Sequence, residues 1–183
     1  MRIIAGTKKG LKLTVVKNRI IRPTADSTKE LIFNVISDFI KNCVVLDIYA
    51  GSGSLGIEAL SRGAVRAIFI ENNPYALKIL LNNLQKSGFV NSSEIFKISA
   101  QTALKKCSEN NLKFDLIFAD PPYKKSLAQD TITAVDRFNL LAKGGWLIVE
   151  HEDKTKFLNS TAHLTLVIQK RQGDSGVSFY QYV

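Results

Sequence analysis

Four residues that close an apolar run, Asp120-Pro121-Pro122-Tyr123, carry the most specific chemistry in this chain. An exocyclic base amine is a poor nucleophile, because its lone pair is delocalised into the ring. To attack a methyl group it must turn toward tetrahedral, and two acceptors aimed at its hydrogens favour that change. The Asp120 carboxylate and the Pro121 carbonyl form such a pair. Pro121 and Pro122 fix φ, so the acceptors stand in place beforehand. Tyr123 offers a π-face to a planar base, a stacking worth ~1–3 kcal/mol, and Lys124 and Lys125 follow with charge for phosphates. The blander reading of the same residues is a proline-stiffened loop with a helix-capping acid and a buried tyrosine.

A second constellation lies upstream in "VVLDIYAGSGSLGIEA". Gly51-x-Gly53-x-x-Gly56 has the spacing of a dinucleotide-binding turn that opens a helix. Glu71 stands where a carboxylate accepts from ribose hydroxyls. These residues do not separate nicotinamide cofactors from other adenosine cofactors. Asp47 does. A pyrophosphate beside it would meet a like charge, a repulsion of roughly 4 kcal/mol at ~4 Å and an effective dielectric near 20. S-adenosylmethionine carries an ammonium and a sulfonium and no phosphate, so an acid beside it is favourable. The alternative is that Asp47 caps the amides of the glycine loop itself, which still leaves that loop poor for phosphate.

The elements that must hold these residues read as alternating strands and helices. "CVVLDI", "AIFIE" (67–71), "EIFKIS", "FDLIFAD" (114–120) and "GWLIVE" (145–150) are five strands. Helices follow Gly53, start at Asn73-Pro74 with an N-cap and a proline at the first helical position, and cover 100–109 and 127–138. "HLTLVIQK" and "GVSFYQYV" are joined too tightly for a crossover helix and predict an antiparallel hairpin. Ahead of the first strand, Ser27-x-x-Glu30 resembles a capping box before a helix. Residues 1–22 alternate around Gly6 and Gly10 and predict a short hairpin that ends at Pro23. The expected fold is α/β, a mostly parallel, doubly wound sheet that ends in an antiparallel hairpin. In such a sheet the first and fourth strands flank the reversal of strand order, so Asp47 and Asp120 converge on one crevice.

Composition bounds the partners. A chain of 183 residues with 45 % apolar content makes one domain with a core, and its net charge is +9. The charge is uneven: Arg2, Lys8, Lys9, Lys12, Lys17, Arg19 and Arg22 all precede the first acid, Asp26. Such a segment draws polyanions, nucleic acid above all. No apolar run reaches membrane-helix length, and the N-terminus lacks a secretory pattern, so a cytoplasmic protein is expected. Cys43 and Cys107 lack metal-ligand spacing, and no metal is expected. Glu58 and Arg62 read as a solvated or capping pair, and His151 with Glu150 as strand-end residues without a catalytic role.

The order glycine turn, acidic second strand, Asp-Pro-Pro-Tyr resembles class I methyltransferases that act on exocyclic amines of nucleobases. "MRIIAG", "RPTAD…KELIFNVI", "LDIYAGSGSLGIEALSRGA" and "IFADPPY" together resemble the RsmD family of bacterial 16S rRNA (guanine-N2)-methyltransferases. The resemblance implies a Rossmann-like fold and S-adenosylmethionine held by Asp47, Tyr49, Gly51, Gly53 and Glu71. It implies guanine held by Asp120, Pro121, Pro122 and Tyr123. It places Arg22 and Thr24 of "RPT" on the RNA side, and Arg2, Lys8, Lys9 and Lys124 on RNA backbone. Residues 1–24 become an RNA-contacting extension of a domain over 25–183, acting as a monomer on 16S rRNA or the small ribosomal subunit. The family usually has phenylalanine at Tyr49 and more arginine around 26–30, where Ser27 and Lys29 stand here. Ser99, Ala100 and Gln101 all remain open as the contact to adenine. A DNA adenine-N6 or cytosine-N4 methyltransferase, a nicotinamide dehydrogenase and a non-catalytic RNA-binding protein are the competing readings.

Overall fold

The computed structural model describes residues 1–15, 26–122, 125–152, 159–172 and 175–183. Strand and helix alternate as the apolar spacing requires: α1 (Asp26–Val35), β1 (Val44–Ile48), α2 (Ser54–Ser61), β2 (Arg66–Ile70), α3 (Pro74–Ser87), β3 (Ser93–Phe96), α4 (Ala100–Glu109), β4 (Phe114–Ala119), α5 (Lys125–Arg137), β5 (Leu141–Glu152), β6 (Leu164–Gln172) and β7 (Ser175–Tyr182). The strands form one sheet in the order β3-β2-β1-β4-β5-β7-β6. The first five run parallel, and β7 lies antiparallel to both β5 and β6. The expected terminal hairpin is therefore present, and it is inserted so that β7, not β6, meets the parallel sheet.

Alternation along the strands gives the sheet two apolar faces, which is why these strands read as continuous apolar runs. Val45, Phe69, Leu116 and Phe118 face the layer that contains Phe33 of α1, Ile57 of α2 and Leu80 of α3. Leu46, Ile68, Ile117 and Leu147 face Leu104 of α4 and Ile132 of α5. The chain builds outward from β1 to β3 and then returns across β1 to β4, so the order reverses between β1 and β4. That crevice is where ligands of open α/β sheets sit.

Two expectations are corrected. α1 begins at Asp26, so Ser27 stands inside its first turn and is not the cap. β5 starts at Leu141, ahead of the predicted 145; its pairing with β4 shifts register between Phe114 and Leu116, where Gly144 takes φ 76°. Of the hairpin expected over residues 1–22, the described residues show one isolated antiparallel bridge, Arg2 to Lys12, and its remainder with the end at Pro23 lies outside the described residues. Bonds from Ile3 N to Leu11 O (2.9 Å) and from Leu13 N to Met1 O (3.1 Å) flank it. Ile3 and Leu13 are buried in the core, so this arm packs onto the domain. Among the described residues no helix is long and apolar enough to cross a membrane.

Candidate active site

β1 is central, with Asp47 paired to Phe69 of β2 and Phe118 of β4. The chain leaves this strand through a turn that needs left-handed backbone: Tyr49 at φ 63°, Gly51 at 56° and Gly53 at 78°. The glycines have different reasons. A Cβ on Gly53 would lie 2.4 Å from Leu80 Cδ1, and one on Gly56 would lie 2.4 Å from Phe69 Cε1. Gly56 is required by packing of α2 against β2 and Gly53 by packing of the turn against α3, a use that the ligand-directed reading of Gly53 did not contain. Gly51 meets nothing nearer than its neighbour's Tyr49 O at 3.9 Å. Its side is open, and a ligand can approach the backbone there.

Two acids hold the turn. Glu71 Oε2 accepts from Gly51 N at 2.8 Å, and Oε1 accepts from Asn72 N and Asn73 N, both at 2.8 Å. One carboxylate thus ties the turn after β1 to the turn after β2. Asp47 is 3 % exposed, and its Oδ2 accepts from Gly56 N at 2.9 Å. Asp47 therefore does cap the loop, the alternative that the sequence left open. Burial raises its carboxyl to about 7, the Glu71 charge adds to the rise, and the Gly56 N–H opposes it. A buried acid with one donor among the described residues is a poor neighbour for phosphate and gains from an approaching cation.

Asp120 follows β4 directly, and its N–H lies 3.5 Å from Ile48 O, next to the turn. Asp120 is half-buried, Pro121 is buried and Pro122 is exposed. Tyr123, Lys124, Arg22 and Thr24 lie outside the described residues. Asp47 and Asp120 thus leave adjacent strands at the same edge of the sheet.

Beside the turn a cavity of about 300 Å³ opens between α4 and α5, lined by Tyr49, Ala100, Gln101, Leu104, Leu127 and Thr131 among others. That volume is at the lower end of small-molecule sites. Of the three candidates after β3, Ala100 and Gln101 reach this cavity. Ser99 instead caps α4, its Oγ accepting from Thr102 N at 3.3 Å. The Tyr49 hydroxyl lies 3.1 Å from Thr131 Oγ1. Thr131 donates its own hydrogen to Leu127 O at 2.7 Å, so Tyr49 is the donor between them.

The arm presents Arg2, Lys8, Lys9 and Lys12 to solvent. Its anchor is Glu58, which sequence spacing places with Arg62 in a solvated or capping pair. Glu58 is fully buried and accepts from Ile4 N at 2.8 Å, Ala5 N at 2.9 Å and Arg62 Nε at 2.8 Å, with Lys29 Nζ at 3.4 Å. It is no solvated pair. Lys29 is fully buried too and donates to Arg2 O, so it faces the core and not RNA. Burial pushes its ammonium below the ordinary lysine value, and Glu58 opposes the fall. The available signal was a single acid in "SLGIEALS", a helix whose every residue is buried. His151 is likewise a core residue, with Nε2 2.8 Å from Ser178 Oγ and Nδ1 2.7 Å from Glu152 O.

The family model described as conserved hypothetical protein 95 matches residues 1–181. Ribosomal RNA small subunit methyltransferase D of Haemophilus influenzae is 38 % identical, over 99 % of this chain and 93 % of that protein. The chain belongs to the RsmD family. The solved structure of yhhF from Escherichia coli superposes with a TM-score of 0.88 at 31 % identity, covering 100 % of this chain and 97 % of that one. An RNA methyltransferase from Salinibacter ruber, solved with S-adenosyl-L-homocysteine, shares the fold at a TM-score of 0.68 and 16 % identity, over 88 % of this chain and 94 % of that one. The family is one of ribosomal RNA small subunit methyltransferases, and the fold is the Rossmann-like class I methyltransferase fold.

Proposed function

We propose that this chain methylates the exocyclic N2 amine of a guanine in 16S rRNA, with S-adenosylmethionine as donor. The observation that carries the reading is the buried, singly bonded Asp47 on the strand next to Asp120, with the open side of Gly51 between the strand ends. The residues present fit the donor. Gly51 admits it to the backbone, the Asp47 field favours its positive charge, and Tyr49, Ala100 and Gln101 line a cavity for its ring. Bound there, S-adenosylmethionine supplies a methyl group on a sulfonium, a leaving group that needs no metal.

The chain's own groups then act on the acceptor. The guanine must stand outside a helix, because duplex RNA hides its edge. Tyr123 stacks on it. The Asp120 carboxylate and the Pro121 carbonyl accept from N2 and favour its lone pair over the ring. The proton released on transfer goes to Asp120 or to water. Arg2, Lys8 and Lys9, with Arg22, Thr24 and Lys124, hold the RNA backbone, so residues 1–24 serve as an RNA-contacting extension of the methyltransferase domain over 25–183. The enzyme acts as a cytoplasmic monomer on 16S rRNA, free or within the small subunit.

Labelled S-adenosylmethionine and undermethylated small subunits test this. Label is expected on RNA, and raised salt is expected to weaken RNA binding steeply. Asp120→Ala is expected to lower transfer by roughly 10²–10⁴-fold while S-adenosylhomocysteine still binds. Label on a pyrimidine carbon, label on DNA alone, or full activity in Asp120→Ala overturns the reading.

A further inference from the structure

One buried side chain joins the arm to the glycine turn. Asn83, on the inner side of α3, is fully buried. Its Oδ1 accepts from Thr14 N at 2.9 Å. Its Nδ2 donates to Thr14 O and to Ser52 O, each at 2.9 Å. The partners fix the amide's orientation, since an N–H needs an acceptor and two carbonyls need donors. Asn83 therefore pairs with Thr14 as a neighbouring strand would, and its other hydrogen reaches the residue between Gly51 and Gly53.

The position is unusual for its helix. The other buried residues of α3 are Ala76, Ile79, Leu80 and Leu84, together with Ser87, which bonds back to Asn83 O at 2.7 Å within the same helix. An amide among such neighbours is costly unless fully bonded, and here its bonds go to two other segments. The arm has its own anchor near Ile4 and Ala5 in Glu58, so Asn83 governs the far end of the described arm. Adjacent contacts from α3 reinforce that end: Asn82 Nδ2 donates to Thr14 Oγ1 at 3.3 Å, and Lys86 Nζ donates to Lys12 O at 2.6 Å.

We propose that Asn83 is a positioning residue for the transfer: its carboxamide sets the height of the arm, and of the RNA on it, over the turn that holds the methyl donor. The proposal rests on the reading of the arm as an RNA contact. It differs from a role in stability alone, because it requires that cofactor affinity and the rate of transfer change in protein that remains folded.

Full-length Asn83→Asp keeps the acceptor for Thr14 N and loses both donations; Asn83→Ala loses all three bonds. Affinity for S-adenosylhomocysteine is measured by calorimetry without RNA. Single-turnover transfer to undermethylated small subunits is measured with donor and acceptor saturating, and corrected for the folded fraction. Both variants are expected to bind S-adenosylhomocysteine several-fold more weakly and to transfer on the order of ten- to a hundredfold more slowly. Thr14→Pro, at an exposed residue, removes the N–H that Asn83 accepts and the hydroxyl that accepts from Asn82, and leaves Asn83 on Ser52. It is expected to slow transfer while S-adenosylhomocysteine binds as in the wild type, and it reads the arm even where the Asn83 variants do not fold. Wild-type affinity and corrected rate in Asn83→Asp, or a wild-type rate in Thr14→Pro, overturns the proposal alone. A wild-type chain that moves no label to RNA overturns the functional reading and the proposal with it.

Discussion

Glu58 and Asp47 are both buried carboxylates on the same side of the sheet, one carried by α2 and one bonded to its first turn, and they are met very differently. Glu58 receives two backbone amides and a guanidinium, with the Lys29 ammonium beside it. Asp47 receives one amide among the described residues, and its carboxyl rises to about 7. The first is a fully satisfied ion buried to fasten the arm onto α1 and α2. The second is an acid with one donor among the described residues, beside the open side of Gly51 where the proposed methyl donor would approach. Burial with full satisfaction marks structure; burial without it marks a site that awaits a charge.

The largest expected effect is on the satisfied acid. Glu58→Ala strands Lys29 and two amides in the core, and urea unfolding is expected to show a loss of about 3–5 kcal/mol. A loss under about 1 kcal/mol, the range of surface pairs, would erase the contrast. Asp47→Asn comes next. Its amide oxygen still accepts from Gly56, so stability at pH 8 is expected to hold or rise, while calorimetry shows S-adenosylmethionine bound about tenfold more weakly, near 1.4 kcal/mol.

A pH series sharpens the same point. A carboxyl raised from 3.8 to about 7 contributes stability that is fully present below 3.8 and is lost as pH rises through about 7. Thermal melts of the free protein are expected to show that decline, and Asp47→Asn to remove it. Affinity for the sulfonium is expected to rise over the same interval, with proton release on binding. The smallest effect is at Tyr49. Tyr49→Phe removes the bond donated to Thr131 and leaves Thr131 on Leu127 O, so stability falls by about 1 kcal/mol or less and cofactor affinity moves little.

What the sequence disclosed was local. Asn73-Pro74 announced α3, and Asn73 Oδ1 does accept from Tyr75 N and Ala76 N. The apolar runs announced the strands because each is covered on both faces. The glycine spacing announced the turn, although Gly53 and Gly56 answer to Leu80 and Phe69. The hidden part is long-range. Glu58 meets amides 53 and 54 residues away, and Asn83 reaches Thr14 across 69. No spacing rule connects such positions; Glu58 leaves one local trace, a lone acid in a helix buried throughout, and Asn83, beside Asn82 in a polar stretch, leaves none. Strand pairing at the C-terminal edge was legible as a hairpin, but which of its strands joins β5 depends on packing that the pattern does not encode.

The central claim is a positively charged methyl donor opposite a flat, amino-bearing base. Mass spectrometry of nucleosides from 16S rRNA, after reaction of undermethylated small subunits with methyl-deuterated S-adenosylmethionine, tests it most directly. The account predicts deuterated N2-methylguanosine, absent with Asp120→Ala. Deuterium in an adenine, a cytosine or no nucleoside at all would contradict it.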